Sequence, residues 1–454
     1  MTYKDLVHES VTLARALRTL MKDIRAKTES TRASDAGIAG DDSVVGVFVE
    51  NRKELLPSLL ANLLLGVPVT MLNPLSNTGE LVRAWTSTRP SLALCSWGTL
   101  AAVLEASVSL PSLTQVVVFP SGNPEADARE AAAANAARRG KSSALRVAAY
   151  AELLKRTSKE SLDSAEDLAN AVGDVLRPLR SDTHTAYLLQ CGRGGRIARL
   201  THRNLQYTVQ LLQEPDAAGY GWTADDVLLL GAPLSHAFGL GICLGALALG
   251  LKVVIMPYFR EQLFLSAVQA HKVSQLVLVP RQAALLAHSP LLEDAAVLAP
   301  RGLRGVVCAA APLPRALHRD LTRRLAAPCR QAYGLTQASC SLLVAPRGAP
   351  PDTQGRVVPG AEAKVVDAGT GAPLGPLQVG ELYLRAPSIM AGYVDYARAQ
   401  ATQDDDDDQV VGGWLRTGDL AYYDRNECVF VVDRLKDVTM YTRGHFKEFD
   451  GEHE

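Results

Sequence analysis

Short apolar runs alternating with segments of helical period predict an α/β chain: two βαβ-type sheet subdomains with flanking helices, plus a small β-rich subdomain. Three observations carry that prediction. Residues 43–50 form a continuous apolar run, the pattern of a strand buried on both faces. A helical segment at 55–66, closed by a glycine, leads from it into a second such run at 67–72, so the two strands lie parallel in a βαβ unit. A second α/β pattern spans 185–345, and from 354 onward short strands are punctuated by Gly360, Gly371, Gly375 and Gly380.

The remaining elements follow in order. Leu6, Val11, Leu13, Ala16, Leu17 and Leu20 recur at helical spacing and predict an amphipathic helix over 3–23. Residues 92–96 and 115–119 read as further strands of the first sheet. The stretch 121–145, rich in Ala, Arg, Glu and Ser, is either an exposed helix or a disordered insertion. The apolar stretch 227–257 is broken by Pro233, His236, Gly239 and Lys252, so it is core and not a membrane span. Five consecutive aspartates at 404–408 read as a solvated loop, since a metal needs ligands converging from several elements. The units expected are 1–180, 181–350, 351–432 and a remnant at 433–454.

Bulk properties narrow the function. In 454 residues, 47% are hydrophobic and 21% charged, with a formal net charge of -1. That balance predicts a soluble globular protein with neither a nucleic-acid nor a membrane partner. Seven cysteines without a CxxC pair point to a reduced, intracellular setting, and the charged N-terminus lacks the apolar core of a secretory signal.

Chemistry concentrates in five segments. An apolar strand at 186–189 runs into Gln190-Cys191-Gly192-Arg193-Gly194-Gly195-Arg196, followed by Leu200-Thr201-His202-Arg203-Asn204 opening a helix. A glycine-rich turn after a strand exposes backbone N–H groups that can surround phosphate oxygens, and ordinary tight turns look the same. The others are Pro233-Leu234-Ser235-His236-Ala237-Phe238-Gly239, Cys308-Ala309-Ala310-Ala311-Pro312, Gln331-Ala332-Tyr333-Gly334-Leu335-Thr336-Gln337 and Trp414-Leu415-Arg416-Thr417-Gly418-Asp419-Leu420. The last is followed by Asp433-Arg434-Leu435-Lys436-Asp437.

Together these segments resemble the signatures of the adenylate-forming (AMP-binding) superfamily, with wording most similar to plant 4-coumarate–CoA ligase-like proteins. The resemblance implies an ATP-dependent carboxylate–CoA ligase: a carboxylic acid, 4-coumarate-like or fatty, is adenylated and then passed to CoA, with Mg²⁺ assisting. It also implies roles. Gln190 to Gly195, Ala309, Gln331, Ala332, Tyr333, Gly334, Thr336, Asp419, Arg434 and Lys436 would contact the nucleotide. His236, Thr336 and Lys436 would be catalytic. Phe238, Ala309 and Gly334 would line the acyl pocket, and Gln337 would stand at the metal. Where the family carries hydroxyl residues in the loop, this chain has Gln190, Cys191, Arg193 and Gly194, and Gln337 replaces a glutamate. The resemblance further implies a C-terminal lid domain, bearing a lysine, that is largely missing from this chain. An AMP- or acyl-adenylate-binding relative with impaired catalysis is the alternative. An amino-acid-adenylating domain would place an aspartate near 233–240, where none occurs. The expected location is cytoplasmic, with peroxisomal as the alternative.

Overall fold

The computed structural model describes residues 1–28, 43–137, 145–155, 164–192, 195–213, 220–292, 302–394 and 409–435. Its first part runs α1 (Tyr3–Thr28), β1 (Val45–Phe48), α2 (Leu55–Leu65), β2 (Val69–Met71), α3 (Thr78–Thr88), β3 (Leu92–Cys95), α4 (Trp97–Ala106), β4 (Gln115–Val118), α5 (Pro124–Ala136), β5 (Arg146–Ala149), α6 (Tyr150–Leu154), α7 (Ala165–Val175), β6 (Thr185–Cys191), β7 (Arg196–Thr201) and α8 (His202–Gln213). The middle holds β8 (Val227–Leu230), α9 (Ala237–Ala248), β9 (Lys252–Ile255), α10 (Glu261–His271), β10 (Gln275–Leu278), α11 (Pro280–Ala287), β11 (Gly305–Cys308), α12 (Arg315–Leu325), β12 (Cys329–Gly334), β13 (Ser341–Val344) and β14 (Arg356–Val357). The last part is β15 (Glu362–Val366), β16 (Gly380–Arg385), β17 (Tyr393–Val394), β18 (Val410–Val411), β19 (Trp414–Tyr423) and β20 (Val429–Arg434).

Among the described residues these strands make three sheets, in the orders β17-β7-β6-β2-β1-β3-β4-β5, β14-β13-β12-β11-β10-β8-β9 and β15-β16-β19-β18, with β20 on β19. The expected α/β class with two βαβ-type sheets and a small β unit is what forms. The βαβ units are parallel, as the apolar runs require: Val45 faces Val69 and Leu92 in register. The strands β1, β3 and β4 are buried along their whole length. Helix α2 ends where the sequence places its end, at Gly66, whose φ of 63° is left-handed and whose N–H caps Asn62 and Leu63. Helix α1 continues beyond residue 23, and α5 makes the helical option for 121–145 the correct one through its last residue, Ala136.

Two expectations need correction. The boundary at 180 does not separate the sheets, because β6 and β7 pair into the first one, and so does β17 from the third unit. The glycine-rich segment also does not pass straight from strand to helix. It joins β6 to an antiparallel β7, with Cys191 opposite Arg196, and α8 begins only at His202. The run Ile197-Ala198 is too short to announce a strand by periodicity; its burial in the core of the first sheet is a tertiary effect. The aspartates at 404–408 lie outside the described residues.

Candidate functional site

Four elements converge on one cavity of about 210 Å³, lined by Ala310, Ala311 and Pro312 after β11, by Tyr333 and Gly334 at the end of β12, and by Asp419 and Arg434 from β19 and β20. The aspartate reaches it through a bulge. Between Tyr383–Arg416 and Glu381–Leu420 the register of β16 against β19 shifts, so Thr417, Gly418 and Asp419 leave the ladder. Gly418 makes this possible with a φ of 70°. Thr417 fixes the bulge: its hydroxyl donates to the Leu382 carbonyl at 2.7 Å and accepts from the Asp419 N–H at 3.1 Å.

Asp419 is thereby buried and held from both sides. The Tyr333 hydroxyl donates to Oδ2 at 2.5 Å, and the Arg434 Nε lies 3.2 Å from Oδ1, with Arg434 directly opposite Asp419 in the β19–β20 ladder. Burial, then the neighbouring carboxylate, raises the Tyr333 phenol well above its usual range, so it stays a donor. A carboxylate offers two acceptor oxygens, and Asp419 lines the cavity with them.

Gly334 is required by space. A Cβ there would sit 2.1 Å from the Cys340 carbonyl oxygen and 2.7 Å from the Ser341 Cα. Gln331 works beneath the cavity floor, its Oε1 accepting from the Leu313 N–H at 2.8 Å and its Nε2 donating to the Pro351 carbonyl at 2.9 Å. The residue exposed to the cavity after β11 is Ala310, with a φ of 78° that an alanine rarely adopts, whereas Ala309 is buried at the strand end.

The cavity wall continues through Leu335 into a 3₁₀ turn, Thr336–Ala338, which lies under the β6–β7 turn. The Cys191 thiol donates to the Leu189 carbonyl at 3.7 Å, and burial pushes the thiol up to about 12. Gly192 and Gly195 have φ values of 53° and 73°, and no described atom crowds the space where a Cβ would point. Arg193, Gly194 and Lys436 lie outside the described residues.

A family model described as AMP-binding enzyme matches residues 198–394. The luciferin 4-monooxygenase of Photinus pyralis is 28% identical over 408 residues, which cover 87% of this chain and 66% of that protein. The 4-coumarate–CoA ligase 2 of Oryza sativa subsp. japonica is 36% identical over 250 residues, covering 53% of this chain and 42% of that one. The chain therefore spans about two thirds, or less than half, of the length of these relatives. A crystal structure of a benzoate CoA ligase from Burkholderia xenovorans superposes with a TM-score of 0.73 at 21% identity, over 96% of this chain and 75% of the other. Residues 198–394 thus match an AMP-binding enzyme domain, and the chain is similar to adenylate-forming enzymes along most of its length.

The superfamily resemblance also singled out residues that the cavity does not include. His236 caps α9, its Nδ1 accepting from the Phe238 N–H at 3.3 Å. The residue is exposed, and partial desolvation of its ring lowers its pKa. The segment before it is clamped by Asn51, which donates to the Ala232 carbonyl at 3.2 Å and accepts from the Leu234 N–H at 2.8 Å. Phe238 is buried against a separate gap of about 10 Å³ beside Thr208, Ile242 and Cys340, no larger than a water molecule. Sequence reasoning missed Asn51, Gln354 and Ala310. Gln354 lines the cavity and accepts from the Val431 N–H at 2.6 Å. Only pairing across distant segments reveals the first two. The resemblance did draw attention to the alanine run at 309–311, but not to its positive φ.

The residues present do not fit a divalent cation at Gln337. Its Nε2 donates to the Tyr393 hydroxyl at 2.9 Å, and the guanidinium of Arg196 lies 4.4 Å from the centroid of that same ring. Hard dications select several carboxylate or carbonyl oxygens, and no group of three His, Cys, Asp or Glu residues able to hold a metal occurs among the described residues. No helix of the described residues is long and apolar enough to cross a membrane.

Proposed function

We propose that this chain binds an adenylate, AMP or acyl-AMP, with its ribose on Asp419 and its phosphate under the β6–β7 turn. The observation that carries the reading is the buried Asp419 carboxylate, fixed by Tyr333 and Arg434 on the wall of a cavity that leads to Thr336. A carboxylate, with two acceptor oxygens, suits two adjacent ribose hydroxyls. Thr336 and the N–H groups around Gly192 and Gly195 are the donors for the phosphate.

In the whole protein, the reaction proposed is ATP-dependent activation of a carboxylic acid. The carboxylate oxygen attacks the α-phosphorus, pyrophosphate leaves, and the acyl-adenylate is then attacked by the thiol of CoA with release of AMP. The chain's own part is positioning, with Asp419 and Arg434 orienting the ribose; the family resemblance alone assigns His236 and Phe238 to the side of the acid and the thiol. The relatives named for 4-coumarate support an aromatic acid as the first substrate to test, and a fatty acid follows. A second reading, adenylate binding with impaired catalysis, is favoured by the Gln337–Tyr393 hydrogen bond where a metal-holding carboxylate is expected.

Calorimetric titration with AMP tests the binding, and pyrophosphate exchange with a panel of cinnamic and fatty acids tests the chemistry. Binding of AMP without exchange selects the second reading. No heat with AMP or with any acyl-adenylate analogue refutes both.

A further inference from the structure

The neighbourhood of Gln337 is organised as a chain of donors. Gln409 donates its Nε2 to the Arg416 carbonyl at 3.0 Å, which turns its Oε1 toward Tyr393. The single Tyr393 hydroxyl proton goes to that Oε1, so the hydroxyl oxygen has to accept, and it accepts from Gln337 Nε2 at 2.9 Å. The direction of each amide is therefore set by the next. Gln337 is buried, its backbone carbonyl is taken by the Met390 N–H at 2.7 Å, and its side chain brings at most one neutral oxygen to a ligand.

The fixed charge beside this chain is a cation. Arg196 starts β7 opposite Cys191, beside the Thr336–Ala338 turn that packs on β6 and β7, and its guanidinium stacks on the Tyr393 ring. The β17–β7 ladder holds the two strands together, with Tyr393 opposite Ala198. Arg199, two positions after Ile197, is spent differently, donating to the Ala391 carbonyl at 3.1 Å. Stacking on an aromatic face steers a guanidinium while leaving its in-plane N–H fork available to an anion.

We propose that Arg196, braced by Tyr393, supplies the positive charge for the nucleotide phosphates in place of a divalent cation, and that the Gln337–Tyr393–Gln409 chain closes the position a cation would use. This rests on the adenylate-binding reading above. A dication beside Arg196 would meet like charge and one amide oxygen, whereas a phosphate meets a donor fork.

Calorimetry with ATP, in excess Mg²⁺ or in a chelator, tests this on the full chain, with AMP as the control for the site. The expected result is an ATP affinity that differs by less than about threefold between the two conditions. Arg196→Ala weakens ATP about tenfold to a hundredfold, the value of a lost charge-assisted hydrogen bond, and Arg196→Lys, which keeps the charge, recovers part of it. Gln337→Glu, which restores a carboxylate, makes ATP binding respond to Mg²⁺. ATP binding that tightens tenfold or more with Mg²⁺ in the unmodified chain, while AMP binds in both conditions, overturns the inference and leaves the adenylate reading standing. So does an Arg196→Ala protein of unchanged circular dichroism and unchanged ATP affinity. Failure of AMP to bind in either condition overturns the adenylate reading itself.

Discussion

Replacing Asp419 with alanine removes its contacts with Tyr333 and Arg434 and, in the proposed complex, its hydrogen bonds to the ribose. Inside, Tyr333 loses the acceptor at 2.5 Å and Arg434 loses the partner at 3.2 Å. The Arg434 side chain is 53% exposed and regains water, so its loss costs little. The Tyr333 hydroxyl is enclosed, and leaving it unpaired costs about 1–3 kcal/mol of stability. The ligand loses up to two charge-assisted hydrogen bonds from its ribose hydroxyls, each about 1.5–3 kcal/mol. Affinity for AMP is therefore expected to fall at least a hundredfold, while the fold survives with a modestly lower Tm. Asp419→Asn keeps the shape and separates charge from size: one oxygen and one N–H₂ remain, Arg434 takes the oxygen, and affinity falls by an intermediate amount. Calorimetry reads the first effect and thermal melting followed by circular dichroism the second. An Asp419→Ala protein that melts normally and binds AMP within twofold of the parent would refute the placement of the ribose.

Gly334→Ala puts a methyl group 2.1 Å from a backbone oxygen. The strand has to move, at about 1–3 kcal/mol or more, and AMP affinity falls with it in the same calorimetric assay. Gln331→Leu leaves the Leu313 N–H and the Pro351 carbonyl without partners. A loss of about 2–4 kcal/mol in urea unfolding is expected, and a change below about 0.5 kcal/mol counts against Gln331 as the floor of the site. His202 and His318, both partly buried, are held below the usual histidine pKa, with burial as the leading cause. The folded state then binds fewer protons than the unfolded chain as pH falls through about 6.5, so stability is lost between roughly pH 7.5 and 5.5. Chemical unfolding at those two pH values measures it, and a stability that rises toward pH 5.5 contradicts the sign.

Much of the frame was legible because it rests on local rules. The apolar runs at 43–50 and 67–72 can only be strands buried on both faces, and Gly66 stops α2 because it accepts a left-handed φ that other residues avoid. The Thr417-Gly418-Asp419 segment was legible as chemistry through the family resemblance; that it bulges away from β16 while Asp419 stays opposite Arg434 on β20 is a tertiary observation. The β6–β7 hairpin was not. Its second strand is buried by α8 and by β17, a strand some two hundred residues later, and no local pattern encodes that partner. Gln331 and Gln337 show the same limit. Both are amides in one motif, yet one holds the floor of the cavity and the other joins a donor chain through Tyr393.

By itself the sequence determined the fold class, the order of the strands within each βαβ unit and the types of residue available to an adenylate. These depend on periodicity, turn chemistry and side-chain inventory, which are properties of neighbours along the chain. Tertiary structure alone decided that Asp419, Tyr333 and Arg434 meet, that Ala310 and not Ala309 faces the cavity, and that Arg196 stands on Tyr393 beside Gln337. Those are contacts between residues distant in sequence. A charge or an amide has a meaning at a site only once its hydrogen-bond partners and the space around it are fixed.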